Sequence, residues 1–561
     1  MGSLVLRVAA VQYAVGEDVA DNLATALRMI DQAVAEGAEL VVLPEFGNHV
    51  SWYADREHAR REAQTLDGPF VTALAERAAH HRIHLMANCT LVRDDGRIGG
   101  SNVLFGPDGA VLAVNDKQVL MGSERDHIDP AVDTVGVVET AVGRVGLYSC
   151  MDGVIYETPR MLAVGGAQLL LNSLNSFALD EASLHVPVRA AENKVWVVAA
   201  NKVGPLVPEH SIAAVAEKVG VPIDRLHGAG ESQIVAPDGT VVAIGPQSGE
   251  AVVIADIDVT LADNKARPDG TDVMAARRPE VYAPIADQPA GRQAPAGAAE
   301  VRAAVVTAQD SDQIVAGLTA AIESGVELVV LPELAAHPDG VPGAEADPRL
   351  TPEAISALLA GTSTYVVTSI ITADDAVQGQ HVGVVISAEG VELIQAQIHV
   401  SARHDTLAPA EGLRLEILEA SWGRLAVIVG DDALFPEMFR LAALADADVV
   451  AVPFTVAEAH DVDLMLLERA AENRLNVAVA SRPHPVHGAG VLIPLSTNFT
   501  LWGTEWDGPF AGVISRPDPV PVDGLVTEAT LRPSCAMNRM VSRGTDVVDG
   551  RPWHLAGVLT A

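Results

Sequence analysis

The chain has 561 residues, 49% hydrophobic and 20% charged, with 37 basic against 74 acidic side chains and a formal charge of −37. That length exceeds one hydrophobic core and calls for two domains, while the acidic balance excludes nucleic acid and anionic membrane surfaces as partners, since both need clustered Lys and Arg. No apolar run reaches the ~18 residues that cross a bilayer, and three cysteines, Cys89, Cys150 and Cys535, are too few for a disulfide framework and suit a reducing cytoplasm.

LRVAAVQ near the N-terminus alternates as a first strand and lacks the basic region and cleavage site of a signal peptide. Asn22–Ala35 reads as an amphipathic helix, and ELVVLP as a buried strand leading to Glu45. The next stretch, FGNHVSWYADREHARRE, offers Phe46, Asn48, His49, Trp52 and Tyr53, either as pocket walls or as packing within a lid. His80, His81 and His84 have a helical spacing that could suggest a metal, but side chains favoured at a helix C-terminus explain them without one. PDGAVLAVND and APDGTVVAIG read as hairpins with Asp-Gly turns, the first running into Lys117. RVGLYS, AQLLLN and VWVVAAN are near-continuous apolar strands of sheets covered by helices. Pro159–Val164 is helical and stops at a Gly-Gly pair. The reading is α/β, layered, with mixed sheets.

The pattern then repeats. ELVVLPE at Glu39–Glu45 returns letter for letter at Glu327–Glu333. GRVGLYSCMD (Gly143–Asp152) corresponds to GRLAVIVGDD (Gly423–Asp432), and RAAENKVWVVAAN (Arg189–Asn201) to RAAENRLNVAVAS (Arg469–Ser481), both at an offset of 280. GTDV at Gly270–Val273 recurs at Gly544–Val547. The expected organisation is a first domain over 1–285, a Pro/Gly/Ala-rich linker over 286–300 and a second domain over 301–561.

The copies differ where chemistry belongs. Cys150 follows a strand and precedes a helix, a setting that stabilises and exposes a thiolate; Cys89, mid-strand, and Cys535, aligned with Leu261, read as packing. A carboxylate at Glu45, with an apolar wall behind it, has its pKa raised toward the range of a general base. A lysine at 117 could hold a developing oxyanion. From Glu333 to the end there is no lysine, Gln397 or a neighbour takes its place, and Gly430 stands where the cysteine should be. The second copy cannot run the same reaction.

Glu45 in VVLPE, Lys117 in NDKQVL and Cys150 in YSCMDGVIYETPR resemble the Glu-Lys-Cys set of the nitrilase superfamily of carbon–nitrogen hydrolases. RAAENKVWVVAANKVG and GAGESQIVAPDG resemble further landmarks, so the similarity spans residues 4–285. The resemblance implies two tandem four-layer α-β-β-α sandwiches, the second degenerate. Family members pair across a two-fold axis, so it also implies an intramolecular pseudo-dimer, with further homo-oligomerisation left open.

For the chemistry, the resemblance implies that Cys150 attacks an amide-like carbonyl of a small molecule while Glu45 takes its proton. Lys117 and the Met151 backbone N–H would stabilise the oxyanion. Glu124, in LMGSERD, would orient the lysine. No metal or cofactor is implied. Met151-Asp152 after the nucleophile, instead of the Trp-Glu common in true nitrilases, favours amide or N-carbamoyl hydrolysis; nitrile hydrolysis and an inert scaffold or regulatory pseudoenzyme are the alternatives. Glu157 with Arg160, and Glu437 with Arg440, read as structural ion pairs.

Overall fold

The computed structural model describes residues 4–341, 345–372, 379–409, 414–497 and 512–561. The first half builds two six-stranded sheets. In spatial order, one runs Ala251–Asp258, Val5–Gln12, Leu40–Val42, His84–Val92, Ile98–Phe105 and Val111–Asp116. The other runs Val241–Ile244, Gln233–Val235, Trp196–Ala200, Leu169–Ser173, Gly143–Ser149 and Val138–Thr140. Central strands pair parallel and outer ones antiparallel.

Val8, Leu40, Val42 and Met86 from one sheet meet Leu147, Leu169, Leu171 and Val198 from the other in a buried core. Helices Val19–Ala35 and Pro69–His81 cover the first sheet through Met29, Ile30, Leu74 and Ala78. Helices Glu157–Val164 and Val186–Asn193 cover the second through Leu162, Ala163 and Ala190. Each layer thus buries one apolar face, which gives the four-layer α-β-β-α sandwich.

The second half repeats this plan, with sheets ordered Gly390–Ala396, His381–Ser387, Tyr365–Ile371, Leu328–Val330, Val301–Val306, Val526–Leu531 and Ile417–Ala420, Gly423–Val427, Val449–Pro453, Asn476–His484, Gly488–Ile493, Val520–Pro521. Register is kept as well: Val145 pairs with Leu169 in one half, and Leu425 with Val449 in the other.

Helices from the two halves meet. Met151, Ile155, Tyr156 and Val188 share one buried cluster with Phe435, Met438, Phe439 and Ala470. Charges cross the same junction in reciprocal pairs. Arg160 Nε lies 2.9 Å from Glu437 Oε1, and Arg440 Nε 2.7 Å from Glu157 Oε1. Arg189 Nη2 lies 2.7 Å from Glu472 Oε2, and Arg469 pairs with Glu192. The Glu157/Arg160 and Glu437/Arg440 couples therefore pair across the halves, since a Glu at the opposing helix lies within reach of each buried guanidinium.

The stretch 286–300 is pinned to the second half. Arg292 Nη2 stands 2.6 Å from Asp448 Oδ1, and the N–H groups of Gln293 and Ala294 donate to Asp446 Oδ2 at 2.7 and 2.9 Å. Among the described residues, no helix is long and apolar enough to cross a membrane.

Candidate active site

The strand carrying ELVVLP is only Leu40–Val42; the chain leaves the sheet before Pro44, and Glu45 sits on the turn that follows. Asn88 on the neighbouring strand fixes that turn: Phe46 N–H donates to Asn88 Oδ1 and Gly47 N–H to Asn88 O, both at 2.8 Å. Glu45 N–H donates to Leu174 O of the second sheet at 3.2 Å, and its carboxylate is fully buried between the sheet ends.

Cys150 occupies a sharp elbow with φ 43° and ψ −107°, between strand Gly143–Ser149 and helix Met151–Val154. Its N–H donates to Ser173 O at 2.9 Å and Asn172 Oδ1 at 3.1 Å, which holds this unfavourable backbone in place. As the first helical residue, Met151 has an N–H without an intrahelical acceptor.

Lys117 follows strand Val111–Asp116 and is buried. Its Nζ lies 3.0 Å from Glu45 Oε1 and 2.9 Å from Glu124 Oε1. Glu124 Oε2 accepts from Met121 N–H at 2.8 Å, so Glu124 is anchored at both ends. The contact to Glu45 is an ion pair without hydrogen-bond alignment, and among the described residues neither Glu45 oxygen has an aligned donor. Glu45, Lys117 and Glu124 are thus brought together, with Cys150 near enough for its titration to feel both Glu45 and Lys117.

Burial pushes Glu45 up to about 7, against the opposing pull of Lys117. Burial also pushes the Cys150 thiol well above its usual range, the Glu45 carboxylate pushes it further, and Lys117 opposes. Lys117 is held well above its ordinary value: burial lowers it, but Glu124 and Glu45 outweigh the burial. The resting set is a neutral thiol, a carboxyl poised near neutrality and a firmly charged ammonium.

Two site residues lie outside the catalytic set of the sequence reading. Asp152 is fully buried and accepts from the N–H groups of Gln118 at 3.0 Å, Val119 at 2.7 Å and Ser149 at 3.2 Å. It ties the chain after Lys117 to the elbow of Cys150, and its place two residues past the cysteine was the available signal. Lys202 is buried with its Nζ 5.8 Å from the Phe46 ring centroid and lowered by burial to about 7. Only its position in ANKVG marks it, and that gives no direction.

A cavity of about 350 Å³ opens over Cys150, Met151 and Glu124. Trp52, Phe177, Leu206 and Leu226 give it apolar walls, and the second half contributes Ile514 and Arg543. Of the five loop candidates, Trp52 lines this cavity and the other four do not, because each is held elsewhere. Phe46 packs beneath Lys117, 5.6 Å from Nζ to the ring centroid. Asn48 donates to Glu62 O at 2.9 Å and accepts from Thr90 N–H at 2.8 Å. His49 bonds Val50 O at 2.6 Å and stacks on Tyr53, whose hydroxyl meets Thr90 Oγ1 at 2.7 Å. Cys89 is buried, which pushes its thiol up to about 12, and Cys535 is half-buried on a short 3-10 turn. His81 Nε2 pairs with Asp31 at 2.7 Å, and His84 begins a strand.

The second half keeps the frame and replaces the groups. Asp432 holds the N–H of Ile398 at 2.9 Å and of His399 at 2.8 Å, as Asp152 holds Gln118 and Val119. That register puts Gln397 at the place of Lys117. Gly430 shares the left-handed backbone of Cys150, with φ 51° against 43°. A Cβ there would collide with Glu333 Oε1. Glu333 is instead paired with Arg403 Nη2 at 3.0 Å and hydrogen-bonded by Thr455.

The sequence model of the carbon-nitrogen hydrolase family matches residues 7–267. A nitrilase of Pyrococcus abyssi is 30% identical over 262 residues, covering 46% of this chain and 92% of that protein. The chain belongs to the carbon–nitrogen hydrolase family, within the nitrilase superfamily. Omega-amidase NIT2 of Homo sapiens is 28% identical to this hydrolase over 291 residues, 49% of this chain and 96% of that protein. Among solved structures, Saccharomyces cerevisiae Nit3 matches at 23% identity with a TM-score of 0.39, covering 46% of this hydrolase and 92% of that chain.

Proposed function

We propose that this hydrolase cleaves the amide-type carbon–nitrogen bond of a small molecule through a thioester on Cys150, and that residues 1–285 carry all of the chemistry. The observation that carries this reading is the buried Glu45–Lys117–Glu124 chain, with contacts of 3.0 and 2.9 Å, beside the strained Cys150 elbow.

Glu45 takes the thiol proton as sulfur bonds to the carbonyl carbon. The charge that develops on oxygen is met by Lys117 Nζ and the Met151 N–H, each such donor contributing about 3–4 kcal/mol. Glu45 then returns the proton to the leaving nitrogen, the C–N bond breaks, and ammonia or an amine departs. Water, deprotonated by Glu45, attacks the thioester, freeing the acid and the thiol. Glu124 positions Lys117 and keeps it charged. These residues supply nucleophile, base and oxyanion donors, so the steps are complete without a metal or cofactor.

Residues 301–561, with Gln397 and Gly430 in place of lysine and cysteine, act as a non-catalytic domain joined through 286–300. Reciprocal pairs such as Arg160–Glu437 and Arg440–Glu157 support an intramolecular pseudo-dimer. The test is an ammonia-release screen of the full chain over aliphatic and aromatic amides, N-carbamoyl compounds and nitriles. Amide turnover abolished by Cys150→Ala supports the reading; turnover that survives Cys150→Ala overturns it, and turnover of nitriles alone replaces amide by nitrile hydrolysis.

A further inference from the structure

Two of the charges that line the cavity, Lys218 and Arg543, have no explanation in the catalytic steps. Three charged side chains line it: Glu124, Lys218 and Arg543. Glu124 is already committed to Lys117 Nζ and Met121 N–H. The other two charges of the lining, Lys218 and Arg543, are positive, in a chain with 37 basic residues against 74 acidic ones. Of its five lysines, Lys117, Lys202 and Lys218 all stand at or beside this site.

Arg543 comes from the other half. It sits at the turn between the short strands Met540–Ser542 and Thr545–Asp546. That hairpin is seated on the segment leading to Glu124: Thr545 Oγ1 accepts from Gly122 N–H at 3.1 Å and donates to Leu120 O at 2.9 Å. The guanidinium pairs with Asp126 through Nη2 and is otherwise half exposed.

The same contact exists on the opposite side, with one difference. Thr271 Oγ1 accepts from Ala402 N–H at 2.9 Å, so the GTDV segment of each half supports the other half's loop. The residue two places before that threonine is Arg543 where the hairpin faces Cys150, and Asp269 where it faces Gly430. Asp269 is folded back on its own turn, accepting from Thr271 N–H at 3.0 Å and from its hydroxyl at 2.6 Å. At this position of the hairpin, therefore, the side that has the cysteine carries a cation and the side that has Gly430 carries an acid.

We propose that Arg543, delivered by the second half and assisted by Lys218, is the specificity residue that binds a carboxylate at the end of the substrate remote from the bond being cleaved. This rests on the amide-hydrolysis reading above and names the substrate class: amides that carry a carboxylate on an apolar spacer. A guanidinium presents a planar fork that matches a carboxylate, and the apolar walls suit the methylenes between the two ends.

The probes are glutaramate and 5-oxohexanamide, which replaces one carboxylate oxygen by a methyl group. Binding is measured by calorimetry on the full chain carrying Cys150→Ser, and turnover on the Cys150 protein. Glutaramate is expected to bind the Cys150→Ser chain more tightly than 5-oxohexanamide, and Arg543→Gln to shrink that preference about tenfold, one charge-assisted contact. Asp126→Asn, which frees the guanidinium, is expected to increase the preference. A merely structural Arg543–Asp126 pair predicts the opposite, with both variants acting in the same direction on both ligands. That result, or equal binding of the two probes, overturns the proposal. Arg543-dependent binding of glutaramate without any turnover by the Cys150 protein would instead overturn amide hydrolysis and leave the anion site standing.

Discussion

Gly430 and Glu333 stand so close that any side chain on Gly430 would collide with Glu333 Oε1. In the first half, Cys150 and Glu45 occupy the corresponding places, with the cysteine accommodated. The difference lies in how each carboxylate is held. Glu45 meets Lys117 on one oxygen, whereas Glu333 is drawn over by Arg403 and Thr455. Restoring the nucleophile by Gly430→Cys in a Cys150→Ala background is therefore expected to give no ammonia release and a lowered melting temperature. Overpacking of this kind costs about 1–3 kcal/mol. Turnover by this double variant would mean that the second site needs neither the lysine nor more room beside Glu333.

The buried position of Glu45 sets a pH dependence. A general base at Glu45, as proposed, works only when deprotonated, and burial holds its pKa near 7, so kcat/KM should rise as pH increases through about 7 and level off above it. Lys117 pulls that pKa down, so Lys117→Met should move the midpoint to higher pH as well as lower the plateau about 10²–10³-fold. A pH–rate profile of the wild type and this variant reads both effects. An unmoved midpoint would assign the titration to another group.

The alternating apolar runs made the layers legible, because a strand buried on both faces and an amphipathic helix leave different periods in the chain. Glu45, Lys117 and Cys150 were legible for a different reason: each follows a strand end, and in this order and within these motifs they resemble the Glu-Lys-Cys set of the nitrilase superfamily. What escaped depends on docking. Arg543 and Thr545 act on the first half from the second, and a linear reading cannot say which surface a GTDV segment will meet. The loop after Glu45 misled because Asn48, His49 and Tyr53 look like pocket residues but spend their polar atoms on Glu62, Val50 and Thr90. Glu157 and Arg160 have the spacing of a local pair, yet each finds its partner across the junction.

That junction carries its own acid sensitivity. Burial alone would raise Glu437, but Arg160 and Arg277 outweigh it and hold it down at about 2. A depressed carboxylate stabilises the fold fully above its ordinary value of 4.5, and that contribution is lost as pH falls through about 2. Glu437→Ala, which leaves two buried guanidinium groups unpaired, should cost about 3–5 kcal/mol. Acid unfolding followed by circular dichroism should show the variant unfolding at higher pH than the wild type. Coincident acid transitions would remove Glu437 from the interface account.

Residues 1–285 alone would expose Ile155, Tyr156 and Val188, which the second half covers. The fragment should self-associate or aggregate, and lose most amide turnover because Thr545 no longer holds the loop before Glu124. Light scattering and ammonia release on the fragment check this. A monomeric, soluble and fully active fragment would show that the second half is not needed to complete the site.

Trapping the thioester decides the central claim most directly. The full chain is mixed with an amide it turns over, quenched in acid within the steady state, and examined by intact mass and peptide mapping. The account predicts a single added acyl group on the peptide containing Cys150, absent in Cys150→Ala, and formed more slowly at pH below about 7, where Glu45 is protonated and cannot take the thiol proton. An acyl group on Cys89, Cys535 or a residue of the second half, or turnover with no covalent species in any quench, would contradict it.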